Sequence, residues 1–75
     1  MSKELNNKIL TILKEICGNN YFRPTEFDPK TLELRTQSSV FDISHSLNNL
    51  QRDGYIKIHM GLPGQLNKVE LLKEK

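Results

Sequence analysis

The sequence has no tryptophan, a single cysteine and no apolar run approaching the length of a membrane span, for which about 18 consecutive apolar residues are needed. A lone cysteine cannot staple a fold internally. Cys17 falls on the apolar side of a helical pattern and reads as a small buried hydrophobe rather than a reactive thiol. The opening residues, Met1-Ser2-Lys3-Glu4-Leu5, carry neither an apolar signal core nor a cleavage-site pattern, so the protein is expected to stay in the cytoplasm where it is made. The two histidines, His45 and His59, lie far apart with no cysteine or clustered carboxylate at ligand spacing, which argues against a metal site. Paired carboxylates, a nucleophile with its base and a phosphate-cradling glycine loop are missing too, so no catalysis, cofactor or small-molecule ligand is expected. Strong charge is also absent: 11 basic against 9 acidic residues leave a net +2. That balance permits a nucleic-acid partner without arguing for one, and the placement of the charges has to decide.

What is present fits one compact water-soluble domain over residues 1–75, with 36% apolar and 27% charged residues. A domain of this size buries only about 60% of its unfolded surface, so association into a homodimer is a reasonable expectation. Leu5, Ile9, Ile12, Leu13 and Ile16 recur at helical spacing and predict an amphipathic helix over about 2–17, with Ser2 as its cap and Gly18-Asn19-Asn20 as its stop. Tyr21 to Asp28 reads as connecting chain, broken by Pro24. Asp28-Pro29 then opens a short helix over about 29–35, whose apolar contribution is Leu32 and Leu34, with Phe27 stapled against it.

A third helix is predicted over about 39–53. Ser38 or Ser39 caps it, Val40, Ile43, Leu47 and Leu50 form its core-facing stripe, and Asp53-Gly54 ends it. Phe41, Asp42, His45, Asn48, Asn49 and Arg52 occupy the rest of the wheel. The period then changes to two: Tyr55, Lys57 and His59 alternate with Ile56, Ile58 and Met60, as in a half-buried strand. Gly61-Leu62-Pro63-Gly64-Gln65 is a turn, and Leu66 to Leu72 supplies the returning strand, with Val69 and Leu71 on one face. Lys73-Glu74-Lys75 are expected to fray.

Three helices followed by a two-stranded hairpin over 55–72 make an α+β order. The stretch Ile43-Ser44-His45-Ser46-Leu47-Asn48-Asn49-Leu50-Gln51-Arg52-Asp53-Gly54-Tyr55-Ile56 resembles the recognition helix and first wing strand of bacterial and phage winged helix-turn-helix regulators, with Ile43, Leu47, Leu50, Gly54, Tyr55 and Ile56 in matching register. The resemblance implies a winged-helix fold and DNA binding. Two departures stand beside it: the second helix opens at Asp28-Pro29 rather than near Thr25-Glu26, and Phe41 and Asp42 occupy positions where that family carries small polar or basic residues.

The leading functional expectation is sequence-specific binding of duplex DNA, as a small transcriptional regulator or a phage or mobile-element accessory factor. Ser44, His45, Asn48 and Asn49 offer donors and acceptors for base edges in a major groove that admits one helix. Arg35, Arg52, Lys57 and Lys68 are candidates for phosphate, joined by Gln37, Ser38 and Ser39 at the start of the third helix. Phe41 is expected to turn inward and enlarge a small core. An exposed Phe41 would instead stack on an unpaired base or mark a protein-binding patch. The alternatives are therefore single-stranded nucleic-acid binding, through Phe41, Tyr21 or Tyr55, and a protein-binding adaptor.

Overall fold

A computed structural model describes residues 3–73. Helix α1 spans Lys3–Ile16, strand β1 Thr25–Glu26, helix α2 Pro29–Thr36, helix α3 Val40–Arg52, strand β2 Ile56–His59 and strand β3 Lys68–Leu71. The three helices pack on one another, and α1 and α3 also pack on an antiparallel sheet of order β1-β3-β2. The fold is thus of the α+β class. No helix among the described residues is long and apolar enough to cross a membrane.

Local chemistry accounts for most boundaries. Asp28 caps α2 by accepting the Lys30 backbone N–H at 3.0 Å, with Pro29 at the first helical turn; Pro costs nothing there because its missing N–H would have no intrahelical partner. Ser39 caps α3 by accepting the Asp42 N–H at 3.1 Å. Gly54, at φ 82, makes the left-handed turn that releases the chain from α3 into β2. The cap expected of Ser2 lies outside the described residues.

The core draws on every layer: Ile9 and Leu13 from α1, Leu32 from α2, Ile43 and Leu50 from α3, and Ile56, Val69 and Leu71 from the hairpin strands, closed by Phe27 and Cys17. Burial of these aliphatic groups is the main force holding the layers together, at about 1.5–3 kcal/mol for each large side chain.

Five expectations are corrected. The sheet has three strands rather than two, because Thr25 and Glu26, assigned to connecting chain, pair with Val69 and Lys68 of β3. A two-residue strand is too short to show a period, and it forms because the hairpin leaves one edge of β3 unpaired. Leu34 is 79% exposed. It stands two residues from buried Leu32, and side chains two apart point to nearly opposite sides of a helix.

In α3 the buried face is Ile43, Ser46 and Leu50, while Val40 is 59% exposed and Leu47 half-buried. The helix is therefore rotated by roughly 50°, half of the ~100° step per residue, from the orientation its aliphatic stripe implies. Phe41 lies on the opposite side of the helix from this buried face and is 74% exposed rather than turned inward. Met60 follows the end of β2 and is exposed rather than continuing the inward row of Ile56 and Ile58. The Lys73 Nζ lies 4.6 Å from the centre of the Tyr55 ring, and the fraying expected of Glu74 and Lys75 lies outside the described residues.

Candidate nucleic-acid interface

Helix α3 is held from behind and along one side. Its buried residues fix its back against α1 and α2. At its C-terminal end the Gln51 side-chain carbonyl accepts the Ile58 backbone N–H at 2.9 Å. Strand β2 is an edge of the sheet, so this bond satisfies an edge amide and sets the angle between α3 and the hairpin. Nothing in the periodicity singles out Gln51 for that task. Across the hairpin, Asn67 Oδ1 accepts the Gly61 N–H at 2.9 Å and pins the start of the turn.

The solvent side of α3 then follows from helix geometry. Phe41 and Asn48 lie opposite the buried centre of the helix, flanked by Ser44 on one side and by His45 and Arg52 on the other. Ser44, His45 and Asn48 are exposed, and Asn49 is half-buried at the margin. The Phe41 and His45 rings are tilted against each other with centroids 6.1 Å apart. Between α3 and the hairpin runs an open groove of about 490 Å³, walled by Val40, Ser44 and Asn48 on one side and Ile58 and Met60 on the other.

The cationic candidates are dispersed. The Arg35 guanidinium stands at the end of α2 and pairs with Glu15 of α1 at 3.1 Å. Arg52 lies 3.6 Å from Asp53, with both groups largely exposed; such surface pairs contribute only about 0–1 kcal/mol and exchange readily for another anion. Gln37 occupies the left-handed C-cap of α2 at φ 54. The Ser38 hydroxyl donates to the Thr36 carbonyl at 3.4 Å, and the Ser39 hydroxyl is occupied as the α3 cap. Together Gln37, Ser38 and Ser39 form the three-residue turn between α2 and α3.

On the outward face of the sheet, charges of both signs alternate. Lys57 is opposite Glu70, Lys68 lies between Glu26 and His59, and His59 Nε2 is 2.8 Å from Glu70 Oε1. Lys57 and Lys68 are exposed, but this neutralised face makes only a modest field. Among the described residues no three His, Cys, Asp or Glu side chains converge as ligands for an ion. Tyr21 and Tyr55 are half-buried against the core. Compared with known proteins, the chain matches no family model, and no curated protein or solved structure is significantly similar to it.

Proposed function

We propose that this chain is a winged helix-turn-helix protein that binds duplex DNA sequence-specifically and performs no chemistry, with α3 as the reading helix and the β2–β3 hairpin as the wing. The observation that carries this reading is the open side of α3: Ser44, His45 and Asn48 are exposed, and their side chains make no hydrogen bond among the described residues. Base edges in a major groove present the complementary donors and acceptors. The three-residue turn joining α2 to α3 and the hairpin following α3 are in keeping with the same fold, since helix-turn-helix pairs are joined by turns of about that length.

Phosphate contacts on this reading come from Arg52, Lys57 and Lys68, and from Arg35 once it exchanges Glu15 for a phosphate; Gln37, Ser38 and Ser39 offer amide, hydroxyl and backbone groups beside them. Asn49 contributes from the margin of the reading face. The cellular role that suits so small a reader is that of a transcriptional regulator or an accessory factor of a phage or mobile element.

Phe41's exposure favours a second reading, in which its ring stacks on an unpaired base of single-stranded nucleic acid. A mobility-shift panel with duplex, single-stranded DNA and RNA probes at two salt concentrations separates the two. The duplex reading requires a retarded duplex whose affinity falls steeply with salt. Preference for single strands would replace it with the second reading, and no retardation of any probe would leave a protein-binding adaptor.

A further inference from the structure

Resting on the duplex-reading function proposed above, we infer that α3 selects A·T pairs, the Phe41 ring meeting a thymine 5-methyl group and the Asn48 amide an adenine about three base pairs away. The outward centre of α3 is occupied by these two side chains. Phe41 is 74% exposed, and a ring in that position is an apolar contact surface. In the major groove the one apolar feature of a base edge is the thymine methyl, and a phenylalanine ring is among the groups that meet it. Asn48 presents both an amide donor and a carbonyl acceptor, the pair that engages adenine N7 and N6 in bidentate fashion.

The spacing is also suitable. From Phe41 to Asn48 the helix rises about 10.5 Å, at ~1.5 Å per residue. Stacked bases advance about 3.4 Å along each strand, so the two groups address positions about three base pairs apart. The His45 ring stands beside the Phe41 ring, tilted, with centroids 6.1 Å apart.

What α3 lacks points the same way. Between Val40 and Gln51 it carries no arginine or lysine, the residues that make the commonest specific contact with guanine. Arg52 follows only at the last turn, beside Asp53. Ser44 accepts or donates to any base and adds little discrimination. Between Val40 and Gln51 the reading face therefore contains groups suited to thymine and adenine and no arginine or lysine for guanine.

The experiment selects bound sites from a duplex pool with about 20 randomised base pairs, then replaces single thymines in the recovered sites by uracil. Uracil keeps every base-pairing group and removes only the methyl. The expected sites carry a T·A pair and an adenine about three base pairs apart. Uracil at that thymine should weaken binding about fourfold, the effect of losing one buried methylene-sized group. Phe41→Ala, at an exposed position that the fold does not need, should bind thymine and uracil versions equally while still preferring adenine at the second position. Asn48→Ala should lose the adenine preference and keep the methyl effect.

Recovered sites with G·C at both positions, or equal binding of thymine and uracil duplexes by the unaltered protein, would overturn the inference and leave duplex reading intact. Failure to enrich any duplex sequence would remove both together.

Discussion

Replacing Ser46 with alanine tests whether α3 is held by shape alone at its back. Ser46 is 0% exposed, stands between Ile43 and Leu50 on the buried face, and its hydroxyl has no hydrogen-bond partner. A buried hydroxyl without a partner costs about 1–3 kcal/mol of stability. Alanine removes that cost and improves helix propensity by up to about 0.7 kcal/mol. Against this stands the void left by one oxygen, which at ~24 cal/mol per Å³ amounts to about half a kcal/mol. Ser46→Ala should therefore stabilise the domain by about 1–2 kcal/mol, a rise in Tm of about 5–15 °C for a domain of this size.

Thermal unfolding followed by circular dichroism measures the change. Ser44→Ala is the control: it makes the same replacement two residues earlier on the exposed side, and its effect should stay within about 0.7 kcal/mol. DNA affinity should not change in Ser46→Ala, since the reading face is on the other side. A Tm lower than that of the unaltered protein would refute the reasoning. It would mean that the hydroxyl bonds in solution, most simply to the carbonyl four residues back in its own helix.

Asn48→Ala should cost about 1–3 kcal/mol at the preferred duplex and much less at mismatched ones, whereas Arg52→Ala should weaken all duplexes alike and reduce the salt slope by about 1; equilibrium binding at several salt concentrations reads both. Glu15→Gln releases Arg35 from its partner 3.1 Å away, so non-specific duplex affinity should rise and its salt dependence steepen, with little change in Tm because the pair is exposed. Gly61→Ala should lower stability by about 1–3 kcal/mol in denaturant titration, because a Cβ there would meet the Leu66 carbonyl oxygen at 2.6 Å and the Gln65 carbonyl oxygen at 2.8 Å.

Elements whose signal is local were legible in advance. Helix α1 follows from its apolar spacing, α2 begins where Asp28 and Pro29 set the cap and first turn, and Gly54 marks the change from helical to strand period. The hydrophilic side of α3 was legible as well, because Ser44, His45 and Asn48 have no reason to leave water. Strand β1 was not legible, since two residues carry no period and pair only because β3 offers an edge. Neither was the tie from Gln51 to the hairpin, which depends on where an edge amide ends up.

The chain's pattern of apolar and polar residues thus determined by itself that there would be three helices and a hairpin, and roughly where each begins. Only the packing decided how far α3 turns about its own axis. Ile43, Ser46 and Leu50 face inward in place of the purely aliphatic row, so Val40 comes to the surface. The physical reason is that periodicity specifies a stripe to within a residue or so, while close packing against neighbouring helices selects one rotation. A small serine at the contact leaves room for that close approach, and an isolated helix contains no record of it.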